Sequence, residues 1–400
     1  RLMLLVDGEL VETVEGAEAT FEIAPQTDAT VVVIAEGDRA LIFTNGGSWG
    51  WPMPIEPMVD VAIIGAGSAG LTTMSRVRRA TDNFVLINGG ELGTTCARVG
   101  CMPSKALIQV AEDYHRREIF DRHGIEGDDQ VRLDIADSME HVRDMRDIFV
   151  DRVLGSSTDE MPDELKLEGY AEFVDANTLQ VGETTVNAKA IVIATGTRPI
   201  VPQAWKPFAD RILTTDTVFE QEDFPPSMAV IGLGVIGLEI GQALSRKGIK
   251  ITGIEGSERI ASLSDDAANQ IALDIMRKEF DIWTGAEARL SEAGDKILIS
   301  AGERQVEVDK VLVAIGRKPN LEKLALDRLD LALDDEGMPV FNHNSMQLGE
   351  LPVYLAGDVN GKRDIFVYDR NTDSIELVSV HSDGTQSGAD CWEDRSRIMA

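Results

Sequence analysis

The same composite pattern occurs twice in this chain of 400 residues, and it admits few folds. Val59-Asp60-Val61-Ala62-Ile63-Ile64 leads into Gly65-Ala66-Gly67-Ser68-Ala69-Gly70, and residues 71–79 continue as a helix. Met228-Ala229-Val230-Ile231 leads into Gly232-Leu233-Gly234-Val235-Ile236-Gly237, and residues 238–246 continue likewise. A short apolar run suits a parallel strand buried on both faces. Gly65 and Gly232 permit the tight turn, Gly67 and Gly234 let a pyrophosphate reach the backbone, and Gly70 and Gly237 let helix and strand pack closely. The helix then presents its positive end to the phosphates. A second apolar run follows each copy, residues 84–87 ending at Asn88 and residues 251–254 ending at Glu255. The interval from first glycine to that strand end is 23 in both (65 to 88, 232 to 255). That position ordinarily carries an acid for a ribose hydroxyl. Glu255 meets this need and would repel a 2′-phosphate, which favours NAD over NADP. Asn88 keeps a donor and an acceptor. The repeat predicts an α/β protein with two Rossmann-like dinucleotide-binding domains. A glycine turn with no ligand is the plain alternative, and the strand–loop–helix context argues against it.

Between the two copies stands Cys96-Ala97-Arg98-Val99-Gly100-Cys101, followed by Met102-Pro103-Ser104-Lys105. A structural disulfide gains little by closing so short a loop. A zinc site would need two further ligands, and none lies nearby, so no metal is expected. A dithiol that opens and closes during a reaction fits best, with an accidental pair as the alternative. Residues 102–112 read as a helix, and a thiol at its start is exposed to the positive end of the dipole.

Composition sets the outer limits. The formal net charge is −31, which disfavours nucleic acid and anionic membrane as partners. No apolar run reaches the roughly 18 residues of a membrane helix. Three cysteines suit a reducing compartment, so a cytoplasmic protein is expected.

With these motifs in order, the chain resembles the flavin-dependent pyridine nucleotide–disulfide oxidoreductases, and among them the dihydrolipoyl dehydrogenases, from about Met58 to Arg363. Further motifs carry the likeness: Ala194-Thr195-Gly196 with Arg198-Pro199, then Ala314-Ile315-Gly316-Arg317-Lys318-Pro319-Asn320, then Ala356-Gly357-Asp358. The resemblance implies FAD at the first glycine loop and NAD at the second. It implies that Cys101 lies against the flavin as the charge-transfer thiolate and that Cys96 is the interchange thiol. It places Lys105 near the flavin with Glu239 as its partner, and gives Asp358 the ribityl chain. Thr95 and Ser104 would contact phosphate or the flavin ring, and Thr195, Gly196 and Gly316 would line the dinucleotides. The implied reaction is NAD(H):disulfide exchange, with dihydrolipoamide or a lipoyl domain as partner. Mercuric and glutathione-type reductases remain alternatives within the class. A dinucleotide-binding remnant without turnover is the alternative outside it.

The chain also departs from the family. Its homodimerising C-terminal domain, with a His-Pro pair and a Glu, is not found: His343 comes too early and His381 precedes Ser382. Turnover is therefore expected to be impaired. Residues 1–57 read as a small β-rich extension with strands near 19–23 and 30–34 and a linker over 46–54. Residues 364–400 read as a foreign β-rich tail, with strand-like runs at 364–370 and 375–380 that resemble one blade of a bacterial β-propeller. The expected division is an FAD-binding domain over 58–205 plus 321–363, with an NAD-binding domain over 206–320 inserted into it. Residues 135–154 read as an amphipathic helix, with Met139, Val142, Met145, Phe149 and Val153 on one stripe.

Overall fold

The computed structural model describes residues 58–334 and 337–361, together with the backbone of six strands outside them. Two parallel sheets organise the described residues. The first runs Lys166–Glu168, Phe84–Asn88, Val59–Ile64, Thr184–Ile193, with Val353–Leu355 alongside residues 191–193. The start of Thr184–Ile193 also pairs antiparallel with Thr178–Val181, which pairs with Ala171–Asp175. The second sheet runs Ile212–Leu213, Lys310–Val313, Ser227–Ile231, Lys250–Glu255, Asp281–Thr284, all parallel. A three-stranded antiparallel sheet, Arg289–Ala293, Lys296–Ala301 and Arg304–Val308, forms within the connection from Asp281–Thr284 to Lys310–Val313.

Each glycine-loop strand is central in its sheet and buried by apolar side chains. Ala62 and Ile63 in one, and Met228, Ala229 and Val230 in the other, have no exposed surface. The chain crosses between the sheets twice. The two crossings, Thr197–Pro199 and Arg317–Pro319, pair antiparallel with each other.

Helices begin earlier than periodicity suggests. They span Ser68–Val77 and Val235–Arg246, so their first turns lie inside the glycine loops. The extended backbone of Gly67 and Gly234 caps them with no side chain involved. The helix Ile135–Gly155 begins at Asp134, whose carboxylate accepts from Asp137 N at 3.1 Å. Met139 and Val142 are buried, while Met145, Phe149 and Val153 are half-buried. One cluster joins Leu107, Ala111, Met139 and Val142 with Leu233, Ile240 and Leu244, so the helix after the cysteines packs into the core of the second sheet.

Outside the fully described residues, Glu9–Val14, Leu2–Val6, Thr30–Ala35 and Arg39–Thr44 form an antiparallel sheet in that order. Phe366–Asp369 pairs antiparallel with Ser374–Leu377. The expected strand at 19–23 and linker at 46–54 lie outside the described residues. So do the arrangement of a propeller blade and any turn after residue 377.

Candidate active site

The two glycine loops repeat each other contact for contact. Gly65 N donates to Ile87 O at 2.7 Å, and Gly232 N donates to Ile254 O at 2.9 Å. Their φ values are +107° and +92°, a region that side chains avoid. A Cβ on either would stand 2.5 Å from the carbonyl oxygen of Ala194 or Ala314 respectively. This is why the sequences Ala194-Thr195-Gly196 and Ala314-Ile315-Gly316 recur with the loops: they form the opposite wall. A Cβ on Gly70 or Gly237 would overlap the carbonyl of Gly65 or Gly232. A Cβ on Gly67 or Gly234 would meet nothing within 4 Å. Those two glycines therefore hold space open at a helix N-terminus, which fits a pyrophosphate.

A cavity lies beside each loop. One of about 860 Å³ is lined by Gly232, Gly234, Glu255, Arg259, Trp205 and Gly316. One of about 560 Å³ is lined by Gly65, Asn88, Thr195, Arg198, Tyr170 and Asn320. Both strand-end residues are held by their own loop. Asn88 Oδ1 accepts from Ala66 N at 3.1 Å, and its amide donates to Gly90 O at 2.6 Å. Glu255 accepts from Leu233 N at 2.7 Å and from Ser257 N at 3.1 Å. These bonds fix the rotamers and leave lone pairs toward the cavity.

The cysteines occupy a kinked double helix start. Cys96 sits in the short helix Thr95–Arg98, and Cys101 is the first residue of Cys101–His115. A Cβ on Gly100 would lie 2.9 Å from Thr95 O and 3.3 Å from Cys96 Cα, so glycine permits the close return of the loop. Thr94 caps the first helix, its hydroxyl accepting from Ala97 N at 3.2 Å, with φ +66° and ψ 148°. A buried threonine in that conformation is strained and held by its surroundings. Cys96 is half-buried and Cys101 is exposed. Burial, and then hydrogen bonding to Cys101, push the Cys96 thiol up to about 11, so Cys96 holds its proton at neutral pH.

The remaining expected residues gather around these features. Lys105 Nζ donates to both carboxylate oxygens of Glu239, at 2.7 and 2.8 Å, joining the cysteine helix to the second glycine-loop helix. Ser104 is buried, and its hydroxyl donates to Cys101 O at 3.0 Å, inside the helix rather than toward a cavity. Thr95 is exposed at the start of the Cys96 helix. Thr195 donates to Asn320 O at 2.8 Å, and the Asn320 amide donates back to Thr195 O at 3.0 Å. Gly196 accepts from Asn320 N. Asp358 is exposed on the turn Gly357–Asn360, where Gly357 lies so close to Ala69 that a Cβ would stand 2.5 Å from it. That turn therefore sits on the start of the first glycine-loop helix.

Several residues gained no role from sequence. Arg317 donates to Thr197 Oγ1 and O, at 2.9 and 2.8 Å, and to Thr215 Oγ1 at 3.0 Å, tying both crossings together. Arg198 donates to Asn320 and pairs with Glu322. Lys323 Nζ lies 4.5 Å from the Tyr170 ring centre, and both residues line the cavity beside Gly65. Arg198, Arg317 and Asn320 were visible within motifs; Thr94 and Tyr170 left no local signal. Among the described residues no cluster of His, Cys, Asp or Glu could hold a metal ion.

A model of the family described as pyridine nucleotide-disulphide oxidoreductase matches residues 59–383. The chain belongs to the pyridine nucleotide-disulphide oxidoreductase family. Its match runs beyond Arg363, where the family likeness was expected to end. Dihydrolipoyl dehydrogenase of Geobacillus stearothermophilus is 32% identical over 289 residues, covering 70% of this chain and 61% of that protein. A mercuric reductase of Staphylococcus aureus is 28% identical, covering 77% of this chain and 57% of that protein. The HOCl-induced flavoprotein disulfide reductase RclA of Escherichia coli, solved as a Cu(II) complex, shares the fold with TM-score 0.66 and 22% identity, over 77% of this chain and 67% of that one. The chain spans 61% of the length of the Geobacillus enzyme. Membership of this oxidoreductase family implies FAD and a nicotinamide dinucleotide, and the two open glycine loops fit them.

Proposed function

We propose that these residues form the FAD- and NAD-binding part of an NAD(H):disulfide oxidoreductase of the dihydrolipoyl dehydrogenase type, working through a Cys96–Cys101 disulfide. The observation that carries this reading is the Lys105–Glu239 pair. It joins the helix that starts at Cys101 to the helix that starts at the second glycine loop.

FAD, when bound, supplies the two-electron chemistry that links nicotinamide to thiol. Gly65, Gly67 and Gly70 would seat its pyrophosphate, Asn88 its ribose, and Asp358 its ribityl chain. Gly232, Gly234 and Gly237 would seat the second dinucleotide, with Glu255 accepting from a ribose 2′-hydroxyl and rejecting a 2′-phosphate. The net first half-reaction consumes NADH, one proton and the Cys96–Cys101 disulfide, and yields NAD⁺ and two thiols. In the second half, Cys96 Sγ would attack a substrate disulfide, and Cys101 Sγ would then displace the bound sulfur and re-form the enzyme disulfide. The substrate leaves as a dithiol, and electrons balance. Cys96 keeps its proton below pH of about 11, so a base must take that proton before attack. The family resemblance implies a His–Glu pair for that task.

The support for dihydrolipoamide as substrate is the Geobacillus relative, at 32% identity. The test is reconstitution with FAD, then titration with NADH under nitrogen. A yellow protein with a long-wavelength absorption band, lost in Cys101→Ser, is the expected outcome. A colourless protein after reconstitution would sink the reading and leave a dinucleotide-binding remnant. Lipoamide, oxidised glutathione and Hg(II) as second substrates then separate the three branches of the class.

A further inference from the structure

The cysteine helix Cys101–His115 and the nucleotide helix Val235–Arg246 are joined at two places, not one. Lys105 pairs with Glu239, and Glu112 pairs with Arg246. Both pairs are spaced by 7 residues along their helices (105 to 112, 239 to 246), with the charges reversed between them. The two helices therefore run parallel and in register. Cys101 stands 4 residues before Lys105, and Val235 stands 4 residues before Glu239 (105 − 101, 239 − 235). The register thus places Cys101 level with the first residue of the nucleotide helix.

The two pins differ in quality. Lys105 and Glu239 are 58% and 37% exposed, and such a pair alone contributes little and can pivot. Arg246 is 18% exposed and already clamped, donating to Glu279 Oε2 at 2.9 Å and Oε1 at 2.6 Å. Glu279 is fixed in turn by Gln242 at 2.9 Å. A guanidinium oriented in this way offers its remaining edge to Glu112 at little further cost in side-chain freedom. The second pin lies about 10 Å along the helix from the first, two helical turns away, where it resists both sliding and rotation.

We propose that Arg246 is a positioning residue: held by Glu279, it sets the cysteine helix through Glu112 so that Cys101 stays level with the N-terminus of the nucleotide helix. This deepens the proposed function, since it makes the dithiol and the nucleotide site one rigid unit during reduction. The test compares wild type, Glu112→Arg and the double variant Glu112→Arg/Arg246→Gln. Glu112→Arg sets two cations against each other, and Arg246→Gln relieves that repulsion while Gln can still bond Glu279. Two readouts need no turnover: amide hydrogen exchange over residues 101–115, and the rate of Cys101 alkylation by iodoacetamide. A third is the rate at which NADH reduces the disulfide in the FAD-loaded protein.

Glu112→Arg is expected to speed exchange in that helix by about fivefold, a local rather than global opening. It should also alter Cys101 alkylation, and slow reduction about tenfold through misplacement, with NADH affinity unchanged. The double variant relieves the repulsion but still lacks the pin, so it should fall between Glu112→Arg and wild type, and a full return to wild type overturns the proposal. A folded Glu112→Arg protein with wild-type exchange and alkylation overturns the proposal. If that variant does not fold, Glu112→Gln must shift exchange and alkylation in the same direction, and no shift overturns it. If wild type binds FAD but NADH leaves the disulfide intact, the functional reading falls, while exchange and alkylation still decide the role of Arg246.

Discussion

Cys96 holds its proton to about pH 11 because burial and the neighbouring sulfur both disfavour a second anion. Iodoacetamide at pH 8 should therefore modify Cys101 well before Cys96, as read by peptide mass after limited labelling. The same shift bears on stability. The folded value lies above the ordinary 9.0, so its contribution is complete below pH 9.0 and is lost as pH rises through about 11. Urea midpoints of wild type should fall over that window relative to Cys96→Ala.

Lys247 shows the opposite sign. Its ammonium is buried with no hydrogen-bond partner, and burial lowers its value to about 8 despite Asp223 nearby. Stability from this group is present above the ordinary 10.5 and lost as pH falls through about 8. Lys247→Met should thus stabilise the protein at pH 7 by roughly 1–3 kcal/mol. The gain should shrink above pH 10.5, where both states are neutral. A thermal melt at the two pH values decides it. Nothing in the local sequence marks Lys247 as buried. It follows the helix Val235–Arg246, and only packing against residues distant in sequence removes it from water.

At the scale of elements, the glycine loops were legible because their requirements are local. Turn, phosphate approach and helix packing each need glycine at a set offset, so spacing alone carried the assignment. What spacing missed is where the helices start, since their first turns lie within the loops themselves. The 3-10 segment Gln203–Arg211, with Pro207 inside, was also illegible. Its fixed points are Trp205 and Phe208, which are buried against residues from elsewhere in the chain. Gly67 and Gly234 separate cofactor from fold. Each has φ near −70° in extended backbone, φ −76° and −67°, so alanine fits without strain. Its Cβ would occupy the space left for phosphate. Gly67→Ala should keep the melting temperature of the FAD-free protein but weaken FAD binding at least about tenfold. Gly234→Ala should keep FAD and lose NADH to the same extent. Fluorescence titrations with each dinucleotide distinguish the two.

For the whole molecule, a formal charge of −31 implies strong self-repulsion at neutral pH. Raising ionic strength from roughly 0.01 to 0.5 M shortens the screening length severalfold. The melting temperature should rise over that range, whereas ion pairs alone would predict a fall. The order of motifs, with Ala194-Thr195-Gly196 before the second glycine loop and Ala356-Gly357-Asp358 after it, raises the expectation that one nucleotide-binding unit interrupts the other. It did not foretell how the interruption is closed, since that depends on Arg317 reaching Thr197 and Thr215 across the fold. Sequence also set the family likeness to end near Arg363, whereas the match continues to residue 383. The short motifs stop at Asp358, so nothing as compact marks the stretch beyond it.

The paired crossings have a consequence for descent. Because Thr197 faces Pro319 and Pro199 faces Arg317, the severed ends of the outer sheet would lie side by side if everything between them were removed. A segment with such a footing can be gained, lost or exchanged as one cassette, with a short turn sealing the scar. The nicotinamide specificity proposed for Glu255 would then be portable: a unit bearing a different residue at that place could be grafted in without rebuilding the strands of the outer sheet.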